Sequence, residues 1–120
     1  MASILVHVTH GPEAPTRAAL AFLVARSALD DGHEVSMFLA GDAVQLLRPP
    51  TLDAVQGIGT GSLREHADAI VAAGGKLYAS GMSSKARGLD PDALGGLDVQ
   101  MATPNVLVQL LVEHDRALTY

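Results

Sequence analysis

The sequence predicts a three-layer α/β/α domain whose mostly parallel sheet has about five strands. Three observations predict it. Short apolar runs alternate with longer helical segments along the whole chain. A length of 120 residues fits one compact domain, which typically has about 100–150. The 48% of apolar residues is enough to build a core. Strands separated by helices make βαβ units, and such sheets run parallel and are covered on both faces.

Residues 3–9, SILVHVT, form an apolar run ended by His10-Gly11-Pro12 and read as a buried strand. The aliphatic segment from Pro15 to Asp31 follows as a helix, with Pro15 suited to its first turn and Gly32 to the left-handed position past its end. Residues 34–40 give a second strand. Gly41-Asp42 then opens a short helix over AVQLLR, with Asp42 as its N-cap and Pro49-Pro50 as its stop. Residues 51–61 read as a loop containing Gly57, Gly59 and Gly61. Ser62 caps a third helix, with Glu65 at the capping-box spacing, and that helix ends at Gly74-Gly75. KLYAS (76–80) is a third strand, followed by a helix start near Ser83 or Ser84 and a helical turn KARGL. Asp90-Pro91 begins another turn, and LDVQMA (97–102) is a fourth strand. Thr103-Pro104 starts the last helix, which runs to about His114 and has one narrow polar stripe of Asn105, Gln109 and Glu113. That helix is therefore buried on most sides, by its own sheet or by a neighbouring subunit. RALTY (116–120) supplies a fifth short strand.

Charged residues make up only 18% of the chain against about 25% in typical soluble domains, so part of the surface is expected to be covered by another copy. With 8 Lys+Arg against 13 Asp+Glu and a net charge of −5, the chain has no electrostatic footprint for nucleic acid or an anionic membrane. No run approaches the about 20 apolar residues that cross a bilayer. The amino terminus lacks a basic segment and reads as a strand and not as a signal peptide, so a cytoplasmic location is expected. There is no cysteine, which removes disulfides, thiolate zinc sites, iron–sulfur clusters and thiol or persulfide chemistry. No HxH or HExxH spacing occurs, and the reading includes no metal and no cofactor.

In parallel sheets, ligands bind outside the carboxyl ends of the strands. That rule puts Thr9–His10, Gly41–Asp42, Ser80–Gly81 and Ala102–Thr103 at one edge. Free N–H groups at the helix start after Ser80, the hydroxyls of Ser83 and Ser84, and the cations Lys85 and Arg87 favour a small anion. An ordinary capped helix start with solvated charges stands beside that reading. Lys85 and Arg87 are two residues apart and diverge by about 200° on a helix, so at most one contacts the ligand. Arg87 is expected to bridge subunits or fix the loop, and Asp42 to be engaged in its cap. The candidate ligand set is His10, Ser80, Gly81, Ser83, Ser84, Lys85, Arg87 and Thr103. His10 stands at a strand end as a base or donor, His7 reads as a hydrogen-bonded core residue, and His33, His66 and His114 as solvated ones. Gly57–Ser62 lacks the Gly-Lys-[Ser/Thr] ending of a phosphate loop and reads as a flexible helix entry able to act as a lid. Ser80 or Ser83 with His10 and Asp42 would compose a hydrolase triad, but no GxSxG elbow is present.

Taken together, the order of these pieces resembles the DsrE/DsrF-like family, which includes sulfur-relay subunits. The anchors are His10-Gly11-Pro12, Arg17-Ala18-Ala19, Asp31 to Val35, Phe38 to Val44, Gly74 to Tyr78, Ser80 to Leu89, and Asp115 to Tyr120. The resemblance implies a DsrEFH-like fold and assembly as trimers, or hexamers built from them. In sulfur-transferring members the loop after the KLYAS strand carries a persulfide cysteine, in some relatives within a Cys-x-x-Cys-like pattern before the Arg-Gly; here Ser80 and Ser83 stand at those two places. A hydroxyl cannot hold sulfane sulfur. The expected role is a small-ligand-binding or structural subunit. The alternatives are an enzyme using hydroxyls, His10 or Lys85, and a regulatory partner of a cysteine-bearing homologue.

Overall fold

In the computed structural model of the chain, residues 1–94 and 96–120 are described. Five strands form one parallel sheet: β1 (Ser3–Val8), β2 (Glu34–Leu39), β5 (Lys76–Ser80), β6 (Val99–Ala102) and β7 (Arg116–Thr119), in the order β6-β5-β2-β1-β7. The fourth sheet strand starts at Val99, two residues later than the sequence reading. The α-helices among the described residues are α1 (Pro15–Asp30), α2 (Pro49–Ala54), α3 (Leu63–Ala72), α4 (Gly81–Ala86) and α5 (Pro104–Glu113).

Pro49-Pro50 do not simply stop a helix. Residues 41–47 make a 3₁₀ turn, and the two prolines open α2, because the missing N–H of proline costs nothing in a first helical turn. The expected loop 51–61 therefore contains α2 and a small antiparallel hairpin, β3 (Gln56–Gly57) with β4 (Gly61–Ser62). Ser62 caps α3 as its spacing implied, with Oγ accepting the Glu65 N–H at 3.3 Å.

The two faces of the sheet are covered unequally. Side chains alternate across a strand, so Val6 and Val8, Met37 and Leu39, and Leu77 and Ala79 point to one face. There they meet α1 and α3 in the main core with Phe22, Leu63 and Ile70. Each fully buried large apolar side chain contributes about 1.5–3 kcal/mol. Leu5, Phe38 and Ala102 point to the other face and meet Leu110 of α5 in a smaller cluster. One ten-residue helix, α5, crosses that face from edge strand β6 to edge strand β7. Only Leu110 of α5 is buried, so the chain's own sheet covers one side of this helix and leaves the rest open.

Candidate functional site

Because all five strands run parallel, the carboxyl ends of β1, β2, β5 and β6 share one edge. Ser80 is both the last residue of β5 and the N-cap of α4; its Oγ accepts the Ser83 N–H at 3.1 Å. The helix therefore opens at Gly81, earlier than Ser83 or Ser84, because the strand-end serine supplies the cap. Ser83 Oγ accepts the Gly41 N–H at 2.9 Å and joins the end of β2 to α4. Gly41 has φ +57, a left-handed conformation that a residue without Cβ adopts freely. Ser84 is 2% exposed, and its Oγ has no partner among the described residues.

Asp42 does not cap the 3₁₀ turn, whose N-cap position is Ala40 with no side-chain bond. Its carboxylate instead accepts from Arg87 Nη2 at 3.0 Å and Nε at 3.2 Å. Arg87 Nη1 donates to the Ser83 carbonyl at 3.2 Å, and Arg48 Nη2 donates to the Arg87 carbonyl at 2.6 Å. Arg87 thus fixes the loop, with its charge answered by Asp42. Lys85 is exposed and has no ion pair among the described residues. Thr103 occupies the N-cap position of α5, but its hydroxyl makes no capping bond.

At the same edge, Gly81, Met82 and Lys85 of α4 face Met101 to Thr103 and Val106 across an open, largely apolar groove of about 450 Å³. It gathers Gly81, Lys85 and Thr103 of the candidate set. Ser80 and Ser83 do not line it; their hydrogen bonds hold the start of α4, whose Gly81, Met82 and Lys85 do. His10 stands apart: Arg17 Nη1 donates to its Nε2 at 2.9 Å. A guanidinium only donates, so Nε2 holds the lone pair and Nδ1 the proton, and Nδ1 is buried with no partner among the described residues. With His10 on Arg17, Asp42 on Arg87 and Ser83 on Gly41, no hydrolase triad is assembled. Two smaller cavities, of about 330 and about 370 Å³, lie around Lys76 and Tyr78 at the amino ends of the strands. The strand-edge rule favours the groove at the carboxyl ends.

The other histidines are less solvated than the sequence implied, because folding brings distant partners to them. His66 is buried, with Nε2 donating to the Thr60 carbonyl at 2.7 Å and Nδ1 beside Arg26 Nη1 at 3.4 Å. His114 Nδ1 donates to the Leu110 carbonyl at 2.6 Å, with its Nε2 3.1 Å from Ser36 Oγ. His33 Nδ1 accepts the Ala2 N–H at 3.0 Å. Conversely His7, expected to be hydrogen-bonded, leaves Nε2 buried without a partner among the described residues and packs edge-on against Phe38, with ring centroids 6.0 Å apart.

Burial lowers the His7 pKa from 6.5. The unfolded chain then takes up a proton more readily than the folded one. The associated stability is fully present above about pH 6.5 and is lost as the pH falls through the lowered folded value. Melting temperatures at pH 7.5 and 5.0 should therefore differ, and by less in His7→Leu than in the wild type. An equal difference in both proteins removes His7 as a source of acid lability.

Among the described residues no group of three or more His, Asp or Glu side chains is arranged to hold a metal ion. None of the described helices is long and apolar enough to cross a membrane. The family model for DsrE/DsrF-like proteins matches residues 2–120, almost the whole chain. The chain belongs to the DsrE/DsrF-like family.

Solved structures agree on the DsrE-like fold. The ychN protein from E. coli superimposes with a TM-score of 0.80 at 17% identity, covering 100% of both chains. MTH1491 from Methanobacterium thermoautotrophicum, a protein of unknown function, gives 0.76 at 17% identity, also covering 100% of both. BT1422 from Bacteroides thetaiotaomicron gives 0.71 at 14% identity over 98% of this chain and 94% of the other. No curated protein matches the chain. Within this DsrE-like frame the sequence reading missed Met82, Met101 and Val106, the apolar lining of the groove. Met82 carried a usable signal: an apolar residue directly after the strand-end Ser80-Gly81 pair.

Proposed function

We propose that this chain is a non-sulfur-carrying subunit of a DsrE-like assembly of identical copies, a trimer or hexamer as the resemblance implies. Its groove at the carboxyl ends of the strands takes a small ligand with an apolar body and an anionic group. The observation that carries this reading is the pair of serines where sulfur carriers place cysteine. Both Ser80 and Ser83 hold the β5–α4 turn together by hydrogen bonds, and no thiol exists anywhere in the chain. A hydroxyl has neither the acidity nor the sulfur for relay chemistry. What supports the ligand class is the lining: Met82, Met101 and Val106 are apolar, and Lys85 is the cation at the rim. The reading is narrower than the original anion set, since Arg87 is paired with Asp42 and the Ser83 N–H is taken by Ser80.

Two measurements test it. After incubation with a low-molecular-weight persulfide donor, mass spectrometry is expected to show no stable adduct of one sulfur atom, and such an adduct overturns the non-carrier reading. Octanoate is expected to raise the melting temperature, and Lys85→Glu to abolish that rise. A rise that survives Lys85→Glu, or none in the wild type, overturns the ligand reading.

A further inference from the structure

Ser36 is the one polar residue in the buried run of β2 from Val35 to Leu39. Side chains alternate across a strand, so Val35 and Met37 point into the main core while Ser36 and Phe38 face α5. Ser36 is only 6% exposed. A hydroxyl buried in this way costs free energy unless it is hydrogen-bonded. Its partner comes from 78 positions away: His114, directly after α5, places Nε2 3.1 Å from Ser36 Oγ.

The far side of the imidazole fixes the direction of that bond. His114 Nδ1 lies 2.6 Å from the Leu110 carbonyl, which only accepts, so Nδ1 carries the ring proton. Nε2 keeps its lone pair, and the Ser36 hydroxyl donates to it. A hydroxyl aimed at an imidazole lone pair, with an acceptor behind the ring holding its tautomer, has the donor order of an activated nucleophile. The pair opens on the cavity of about 330 Å³ at the amino ends of the strands. Lys76, the register partner of Ser36 on β5, also lines it and makes no ion pair among the described residues. It supplies the cavity with a cation that favours a developing oxyanion. Tyr78 forms another part of the wall, held by stacking on Phe38 with ring centroids 6.5 Å apart.

We propose that Ser36 and His114 form a second site, at the opposite end of the sheet from the groove, which transfers the acyl group of a small ester to water. Ser36 Oγ bonds to the ester carbonyl carbon while its proton passes to His114 Nε2, and the carbonyl electron pair moves onto oxygen. Collapse of that oxyanion breaks the bond to the leaving oxygen, which takes the proton from His114 and departs as the alcohol. Solvent water then attacks the acyl-serine with the same base, releasing the carboxylic acid and restoring the Ser36 hydroxyl. The cavity sets the substrate class. Its volume stands at the small end of the about 300–1,000 Å³ of ligand sites, which suits short acyl chains. The site uses no thiol and no residue of the groove, so it is independent of the ligand reading above.

A hydrogen bond that merely ties the end of α5 to β2 would leave the hydroxyl inert, and covalent labelling separates the two cases. The probe is an alkyl fluorophosphonate, whose phosphorus stands in for the ester carbonyl carbon and loses fluoride when a serine oxygen bonds to it. Mass spectrometry of the full chain is expected to show a single adduct on Ser36, formed at least about a hundredfold faster in the folded chain than in urea. Ser36→Ala is expected to abolish labelling, and His114→Gln, which lacks the lone-pair nitrogen, to slow it about a hundredfold with circular dichroism retained. Ser27→Ala is the control, because Ser27 is exposed on α1 and its Oγ donates only to the Leu23 carbonyl; it should leave the rate unchanged. No adduct, adducts only on other residues, or a Ser36 rate no higher than in urea overturns the inference. A folded His114→Gln that labels at the wild-type rate overturns it as well. Should His114→Gln lose its fold, the comparison of folded and urea-unfolded wild type decides alone.

Discussion

Replacing Gly11 by alanine is expected to lower the melting temperature by about 5–10 °C. Gly11 is buried between the end of β1 and the start of α1, and a Cβ there would overlap the backbone carbonyl oxygen of Asp42, with Glu13 Oε2 3.0 Å away. A flexible side chain could swing aside, but a carbonyl inside a 3₁₀ turn cannot move without taking the turn with it. Overpacking of this kind costs about 1–3 kcal/mol, and each kcal/mol corresponds to about 3–5 °C in a chain of this size. The displacement also reaches the site. Asp42 holds Arg87, and the preceding Gly41 N–H is donated to Ser83, so the β2 end and α4 should loosen together. Calorimetry on Gly11→Ala measures the first effect, and amide exchange at Gly41 and Ser83 the second. An unchanged melting temperature would show that the 41–42 turn yields freely.

Ser83→Cys is expected to turn an inert surface into a reactive one. The new sulfur would sit where Ser83 Oγ accepts the Gly41 N–H, and the Arg87 guanidinium is bonded to the carbonyl of the same residue. A backbone donor and a nearby cation both favour thiolate over thiol. The charge of Arg87 is partly answered by Asp42, so a modest gain is expected, about tenfold in alkylation rate at neutral pH over an unstructured cysteine, or about one unit of pKa. Ser80→Cys should react more slowly, because Ser80 is only 8% exposed and its side chain faces the Ser83 N–H. Iodoacetamide rates against pH decide it. If Ser80→Cys is the faster, or Ser83→Cys matches a free thiol, the turn does not activate a nucleophile in this position.

These two substitutions separate what was legible in the sequence from what was not. The placement of Ser80 and Ser83 after a strand end could be read locally, because a short apolar run followed by a glycine and hydroxyls is a pattern within a few residues. The partners of those hydroxyls could not. Ser83 meets Gly41 across 42 positions, and Arg87 meets Asp42 across 45. Reading Asp42 as a cap was reasonable on local preference; the guanidinium that folding delivers displaced that role. Pro49-Pro50 were ambiguous for a different reason, since a proline pair ends one helical segment and starts the next with equal ease.

By itself, then, the sequence determined the alternation of strands and helices, the capping of α3 by Ser62, the fifth strand after Asp115, the family, and the absence of any thiol. Each of these depends on composition, on a short period, or on an ordered set of local motifs. Only the tertiary structure decided the strand order β6-β5-β2-β1-β7, the pairing of Arg87 with Asp42, the partners of the histidines, and the open flank of α5. Those depend on which distant segments come within hydrogen-bond or packing distance. The apolar pattern of α5 predicts a covered helix, while only its burial in the fold, with Leu110 alone buried, shows that this chain covers a single side of it.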